Sequence, residues 1–261
     1  MSAWPIEPSV GIPVAMAAVV YLRGWSRLRL RLARRFRARH AVVFLAGLAT
    51  LLLVLSSPIE ALTLRWLSAH MVQHLVLMMV VAPMVWMGAP VVPLLVGVPR
   101  PIRGVVLAFT NGRVGRRLTR WLVHPGVGWC AFALSFWIWH VPALYELATG
   151  SDLWHHVEHA CFLVSALLFW RPVILAWPAR AIWPRWTMIP YLALAMFQSL
   201  PLAAILTFSD RVIYAGYSSV DDQALAGVIM WVPGSLPLLF PLLRLTVELS
   251  SGRLAIEGQH A

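Results

Sequence analysis

The chain has 261 residues, of which 60% are hydrophobic and 12% are charged, and its mean hydropathy is +0.76. Soluble domains are about 45–50% apolar and about 25% charged, so this composition excludes an ordinary soluble domain and indicates a polytopic membrane protein. All 21 basic residues are arginine, and they lie between apolar runs. This distribution is typical of membrane topology, and the arginines lack the interleaved aromatic side chains of a nucleic-acid-binding surface. We therefore expect a lipid bilayer and no nucleic acid as partner.

Seven apolar runs are long enough to be considered as membrane-spanning helices, which need about 20 apolar residues. In chain order, the predicted spans cover approximately residues 8–23, 41–57, 66–96, 126–147, 152–175, 187–208 and 223–245. The third is too long for one straight helix and contains Pro83, Pro90 and Pro93, so a kink or a break is expected there. The predicted fold is all-α, with residues 1–261 forming a single membrane domain of seven helices.

The positions of the arginines predict the orientation of these helices. With the N-terminus outside, only Arg65 and Arg211 of the 21 arginines would lie outside. Of the ten acidic residues, only Glu248 and Glu257 would lie inside. Because arginine accumulates in cytoplasmic loops, the sequence predicts an outer N-terminus and a cytoplasmic C-terminus.

Histidines open two of the spans and end another. Residues four apart on a helix share a face, so the spacing of His70 and His74, and of His155 and His159, predicts paired imidazoles. In the predicted topology, the histidines of the third, fourth and fifth spans all lie in the outer layer: His70, His74, His140, His155, His156 and His159.

Several side chains accompany these histidines and are weaker candidate ligands. Asp152 falls on the same helical arc as His155 and is also placed to cap the start of its helix. Met71 adjoins His70, Met78 continues the face of His70 and His74, and Met230 lies on one face of the seventh span. Methionine is also a common apolar filler in helices. Other features of this layer are the acids Asp221 and Asp222, as a rim or an N-cap, and Glu158, as a support for the ligands.

The ligand types limit which metal such a site would bind. A lone histidine at a membrane interface is usually hydrated or locally hydrogen-bonded, but several at one depth favour a shared site, because buried polar groups need partners. Imidazole suits copper, zinc, iron and nickel, and thioethers beside it favour Cu(I). The two cysteines, Cys130 and Cys161, lie inside apolar runs and form no Cys-x-x-Cys motif, so a thiolate metal clamp is not indicated. We therefore predict a metal site for one of these ions, and a contribution from the methionines would make that ion Cu(I).

The combination of motifs resembles the integral-membrane CtaG family of cytochrome c oxidase assembly factors, the kind linked to caa3-type oxidase. The similarity covers about residues 25–245. The motifs that carry it are His70-Met-Val-Gln-His74, Ala82-Pro83, Gly88-Ala89-Pro90, Trp139-His140-Val141-Pro142, His155-His156-Val-Glu-His159, Thr207-Phe208-Ser209, Tyr214, Asp222-Gln223 and Met230-Trp231-Val232-Pro233-Gly234.

The resemblance implies a multi-pass protein of the bacterial plasma membrane that takes part in the maturation of a haem–copper oxidase. It also implies copper supply to an oxidase subunit, with a copper donor on the outer side as a further partner. In this interpretation the protein is a metallochaperone and not an enzyme, and the six histidines bind the metal.

Three other functions remain open on the sequence. The histidine spacings resemble the boxes of membrane di-iron oxygenases, although those boxes lie on the cytoplasmic side. Paired imidazoles could bind haem as axial ligands. The histidines could also serve as hydrogen-bond partners between helices in a purely structural scaffold for the oxidase.

Overall fold

The computed structural model describes residues 7–56 and 58–251, without the side chains of Pro58 and Ile59. Helix makes up 81% of the structure, and the described residues contain no strand, which confirms the all-α fold class. The predicted domain of residues 1–261 includes 1–6, 57 and 252–261, which lie outside the described residues.

The α-helices of the described residues are numbered here in chain order. They are α1 (Pro8–Arg31), α2 (Ala38–Leu55), α3 (Pro58–Thr63), α4 (Leu67–Val76), α5 (Ala82–Met87), α6 (Val91–Gly97), α7 (Arg100–Asn111), α8 (Arg113–Leu122), α9 (Pro125–Trp139), α10 (Pro142–Thr149), α11 (Asp152–Ile174), α12 (Met188–Phe208) and α13 (Val220–Ser250). A π-helical segment, Leu77–Val81, joins α4 to α5, and a 3-10 turn, Arg185–Thr187, precedes α12.

Six helical stretches within the described residues are long and apolar enough to cross a membrane: α1, α2, Leu67–Met87, α11, Arg185–Phe208 and α13. The pair α8 and α9, bent by 63°, gives a seventh if it is counted as one span. The chain is therefore a multi-pass helical membrane protein. The predicted count of seven is reached only with the bent pair.

The predicted break in the third span is confirmed. The helical stretch that begins at Leu67 ends at Met87, and Ala89 then adopts a positive φ of 49°. After this break α6 packs directly on α1, where a Cβ on Gly24 would lie 1.8 Å from the carbonyl oxygen of Pro93. Because no side chain larger than hydrogen fits there, Gly24 permits the backbones of α1 and α6 to touch.

The π-helical segment has an identifiable cause and consequence. Pro83 has no backbone N–H, which interrupts the regular α-helical ladder. The N–H of Ala82 donates to the carbonyl oxygen of Leu77, five residues back. The bypassed carbonyl of Met78 accepts a hydrogen bond of 2.9 Å from the indole Nε1 of Trp170 on α11. The wide turn thus links the stretch that carries His70 to α11.

The fourth predicted span, residues 126–147, is wrong as one continuous helix. α9 ends at Trp139 and α10 begins at Pro142, with His140 between them. A residue before proline is disfavoured in the α region, and Val141 is extended, with φ −66° and ψ 125°. The interruption frees the carbonyl of His140 to accept a hydrogen bond of 3.0 Å from the hydroxyl of Tyr214.

Two predicted boundaries are also wrong. The first helix, expected over residues 8–23, continues to Arg31, and the last, expected over 223–245, covers Val220–Ser250. Both extensions are polar turns that remain helical, so an estimate based on apolar length alone misses them.

The helix starts meet at one end of the bundle. Glu7, next to α1, contacts His156 on α11; Asp222 on α13 contacts the start of α4; and His70 on α4 faces Glu158 on α11. We call this the histidine end. The main apolar core, which includes Phe132, Phe162 and Phe169, supports it from within the bundle.

Candidate metal centre

Four buried side chains from two helices form a group that can hold a metal ion. His70 and His74 belong to α4, and Glu158 and His159 belong to α11. One ligand atom from each lies within 4.8 Å of the others. We call this group the His/Glu centre. Its donors, three imidazoles and one carboxylate, suit copper, zinc or iron.

The imidazoles and the carboxylate approach each other closely. The Nε2 atoms of His70 and His74 are 3.0 Å apart. One oxygen of Glu158 lies 3.7 Å from Nε2 of His70, and the other lies 3.7 Å from Nε2 of His74. The spacing of four residues on α4 therefore pairs the two imidazoles as predicted, because residues four apart lie on the same face of a helix.

Several polar atoms of this centre are buried without a hydrogen-bond partner in the part of the chain that the structure describes. They include both carboxylate oxygens of Glu158 and Nε2 of His159. Burying such atoms without partners is costly, and each case in a native protein needs an explanation, such as an ion. The unpaired donors therefore fit a bound cation.

A hydrogen-bond chain orients His70. Its Nδ1 lies 2.7 Å from the hydroxyl of Tyr145, which is 2.9 Å from the hydroxyl of Tyr217. The hydroxyl of Tyr217 donates to the carbonyl oxygen of Thr63 at 2.8 Å. All three contacts are satisfied if Nδ1 of His70 donates to Tyr145 and Tyr145 donates to Tyr217. His70 then presents the lone pair of Nε2 to the centre, the tautomer that a metal requires.

Tyr217 ends this hydrogen-bond chain at the carbonyl oxygen of Thr63. It lies in the connection between α12 and α13, and burial raises its pKa to about 12. The carbonyl oxygen of Thr63 can only accept, so Tyr217 must donate to it, which sets the donor direction of the whole chain.

Asp222 fixes the start of the helix that carries His70 and His74. It is buried, and its carboxylate accepts hydrogen bonds from the backbone N–H of Leu67, at 2.6 Å, and from the hydroxyl of Ser68. These contacts satisfy N-terminal groups of α4. Asp222 thus caps a neighbouring helix, whereas its own helix is capped by Ser219, whose hydroxyl oxygen accepts from the N–H of Asp222 at 3.1 Å.

His155 adjoins the centre. Its ring centroid is 4.2 Å from that of His159 and 5.3 Å from that of His70. Its Nδ1 lies 3.3 Å from Glu60, and the other oxygen of Glu60 accepts a hydrogen bond of 2.6 Å from Gln73. Burial raises the pKa of Glu60, and the hydrogen bond from Gln73 opposes that shift.

The structure does not bring His156 or Asp152 to the centre. His156 is 39% exposed, and its Nε2 lies 2.9 Å from the carboxylate of Glu7. Asp152 is exposed and forms the first residue of α11, with Ser151 at the N-cap position, so Asp152 is not the cap that the sequence suggests.

His140 and the candidate methionines lie beside the His/Glu centre. His140, Met71, Met78 and Met230 line a cavity of about 50 Å³, which His74 also borders. Nδ1 of His140 donates to the carbonyl oxygen of Phe136 at 2.7 Å. The sequence thus identifies residues of two adjoining regions but does not separate them.

Sequence reasoning undervalues Glu158 and misses Tyr145 and Tyr217. Glu158 has 0% exposure, although its helical angle suggests only a supporting role. An acid inside an apolar helix is rare unless it is functional, and this signal could have identified it. The tyrosines come from segments remote in sequence, and no spacing relates them to His70.

The structure therefore defines a helical membrane protein with a buried group of three histidines and one glutamate at one end, which could hold a metal ion. The chain belongs to the family of cytochrome c oxidase caa3 assembly factors (Caa3_CtaG), whose sequence model matches residues 19–251. This match confirms the family that the motifs resemble.

The curated relatives are mycobacterial proteins named as uncharacterized. Those of Mycobacterium bovis and Mycobacterium tuberculosis are each 24% identical over 265 residues, which cover 95% of this chain and 39% of theirs. The Mycobacterium leprae relative is 23% identical over 289 residues, which cover 100% of this chain and 42% of its own. The chain thus spans about two fifths of their length. No solved structure matches the chain.

Proposed function

We propose that this protein binds copper at the His/Glu centre, near the outer membrane face, and supplies it to a subunit of a haem–copper oxidase in the bacterial plasma membrane. The observation that carries the proposal is the fully buried carboxylate of Glu158, which lies among three imidazoles without a hydrogen-bond partner in the described residues. The family supports an oxidase as the recipient.

The chemistry of the centre supports reversible metal binding. Nε2 of His74 is 3.0 Å from Nε2 of His70, whose lone pair the tyrosine chain leaves free, so Nε2–H of a neutral His74 can donate to His70 in the metal-free protein. For both Nε2 atoms to bind a metal, the proton of His74 would have to move from Nε2 to Nδ1, which leaves both imidazoles neutral with a free lone pair on Nε2. Glu158 supplies a negative charge that lowers the cost of burying the cation.

The surroundings of the centre support entry of the ion from the predicted outer side. Glu7 pairs with the exposed His156, Glu60 contacts His155 beside the centre, and Asp152 is exposed at the start of α11. We call these acids the acidic rim. Acidic groups at an opening raise the local concentration of cations. A copper donor in the outer compartment would deliver to this rim.

The proposal is tested by metal analysis of the detergent-purified protein. We expect the protein to retain copper, the His70→Ala/His74→Ala variant to lose it, and host oxidase activity to fall with it. His124→Ala is the matched control, because His124 is exposed and contacts Trp183 away from the centre. Full copper retention and full oxidase activity in the double variant would overturn the proposal.

The donor set also favours one alternative, a mononuclear iron site. Two imidazoles and a carboxylate are the usual ligands of non-haem iron oxygenases. Iron in place of copper in the same analysis would redirect the function to oxygen chemistry. Haem is disfavoured, because the adjoining cavity of about 50 Å³ is far smaller than the roughly 300–1,000 Å³ of organic ligand pockets.

A further inference from the structure

The cavity beside the His/Glu centre has an unusual lining. It lies between α4 with the π-helical segment, α9, α12 and α13. Four of the ten methionines in the chain border it: Met71, Met78, Met79 and Met230. Methionine fills apolar cores, but the concentration of four thioethers on one small cavity brings together soft ligands from two parts of the chain.

An unpaired nitrogen accompanies these thioethers. His140 is 6% exposed, and Nδ1 is engaged with the carbonyl of Phe136. Its Nε2 is buried and has no hydrogen-bond partner in the described part of the chain. Because Nδ1 carries the proton, Nε2 holds a free lone pair and can bind a metal.

Three other polar side chains of the cavity have partners. Gln198 accepts a hydrogen bond of 2.8 Å from Trp137. The hydroxyls of Ser199 and Ser235 donate to carbonyl oxygens of their own helices, at 2.9 and 2.6 Å. The two imidazoles that line the cavity each keep a buried nitrogen without a partner in the described residues, Nε2 of His140 and Nδ1 of His74.

We propose that this cavity is a second copper site, selective for Cu(I), in which Nε2 of His140 and the methionine thioethers bind the ion. The inference deepens the proposed function and rests on it only in the choice of copper as the cargo. Thioether and imidazole ligands are neutral and soft, which favours monovalent copper over divalent ions. A single positive charge also costs less than two in an apolar interior.

The two sites differ in the chemical hardness of their ligands, and one residue belongs to both. The His/Glu centre includes a carboxylate, whereas the cavity offers thioethers, and His74 belongs to the first and lines the second. Exchange of ligands at His74 would connect the sites without passage of the ion through lipid.

The test is a titration of the detergent-purified full-length protein with Cu(I) under anaerobic conditions, against a chromophoric chelator, with X-ray absorption at the copper edge. We expect sulfur scattering in the wild type. In the Met71→Leu/Met78→Leu/Met230→Leu variant we expect loss of one equivalent of Cu(I) and of that scattering. Leucine conserves volume and removes sulfur, so folding should be preserved.

The matched control replaces three methionines that do not line the cavity: Met84→Leu/Met188→Leu/Met196→Leu. It should keep the equivalent and the scattering. His140→Phe gives an independent variant, which should also lose the sulfur-ligated ion. Unchanged stoichiometry in the cavity triple variant, or only nitrogen and oxygen scattering in the wild type, would overturn the second site.

Failure of this site is distinguishable from failure of the His/Glu centre. Glu158→Gln should remove the ion bound by nitrogen and oxygen and leave the sulfur-ligated ion in place. If the wild type binds only a sulfur-ligated ion, the His/Glu centre fails and the cavity site stands. If it binds only a nitrogen- and oxygen-ligated ion, the reverse holds.

Discussion

Several polar side chains of the histidine end are buried, whereas none of the arginines in the two arginine-rich segments, residues 23–39 and 100–120, is buried. At the histidine end, polar groups are buried and contact one another, as in the pairs of Glu158 with His70 and His74. No arginine in the described residues is buried, and Arg27 and Arg171, for example, donate to backbone carbonyl oxygens. The comparison teaches that burial, rather than the number of charged residues, distinguishes a candidate site from a surface that faces water and headgroups.

The two regions therefore carry different costs. An exposed arginine at the membrane interface keeps its hydration and costs little. A buried carboxylate without a hydrogen bond reduces stability unless an ion or another partner compensates. Substitutions at the histidine end should accordingly change metal affinity and stability by different amounts. Substitutions in the arginine-rich segments cannot test this difference.

The largest effect is expected for Glu158→Gln. Loss of the carboxylate should weaken metal binding more than about 100-fold, the upper range for loss of a supporting partner, because Glu158 is itself a ligand candidate. The metal-free protein should unfold at the same temperature or a higher one, since a buried acid is removed. Equilibrium metal titration and thermal unfolding in detergent measure both quantities.

Glu146→Gln is the control for this substitution, because Glu146 is an exposed acid on α10 at the same end of the bundle. It should change neither quantity. A Glu158→Gln protein that binds metal as tightly as the wild type would show that the carboxylate serves packing alone.

A smaller effect is expected for Tyr145→Phe. The hydroxyl of Tyr145 contacts Nδ1 of His70 at 2.7 Å, so its loss frees the ring to rotate and to change tautomer. Partners of metal-binding histidines typically contribute about 10–100-fold in affinity, and a loss in this range is expected. The same titration measures it.

Tyr191→Phe is the matched control, because the hydroxyl of Tyr191 donates to the carbonyl of Phe169, within the core. This variant should lose a little stability and keep its metal affinity. Equal affinity losses in the two variants would mean that the tyrosine chain acts through general stability and does not orient His70.

Asp222→Ala should act mainly on stability. It removes the acceptor for the N–H of Leu67 and the hydroxyl of Ser68, and loss of an N-cap costs about 0.5–2 kcal/mol. Since α4 begins only three residues before His70, metal affinity should fall by less than about tenfold, which corresponds to about 1.4 kcal/mol. Thermal unfolding with and without metal separates the two effects.

Asp221→Ala is the companion variant, because Asp221 is exposed and adjacent to Asp222. It should leave the unfolding temperature unchanged. If both substitutions lower it equally, the effect comes from the helix dipole of α13 and not from the cap on α4.

Much of the fold could be predicted from sequence because apolar length and proline position act locally. The break after Met87 follows from the prolines, and the interruption at His140 has the same kind of signal in Pro142, which a prediction from apolar length alone passes over. The orientation predicted from the arginines stays a prediction.

The site was harder to predict, because helical spacing shows which face of a helix carries a side chain but not which other segment packs against that face. The spacing identified His70, His74 and His159. It could not show that Tyr145 lies against His70 or that His140 lies in a separate cavity, since both depend on how distant segments pack.

The smallest effect is expected for His156→Ala, because His156 lies at the histidine end but its side chain is exposed. His156 belongs by sequence to the same motif as His155 and His159, but it pairs with Glu7 at the surface, where ion pairs contribute little. Metal stoichiometry and unfolding temperature should therefore stay unchanged, and only the rate of metal uptake at low salt should rise, because loss of the imidazole that pairs with Glu7 leaves the acidic rim more negative and strengthens its steering of cations. Stopped-flow uptake at two ionic strengths measures this rate. Loss of one bound metal equivalent in this variant would show that His156 is a ligand. The centre would then extend to the surface, and the buried and exposed polar groups of the histidine end would not differ in function.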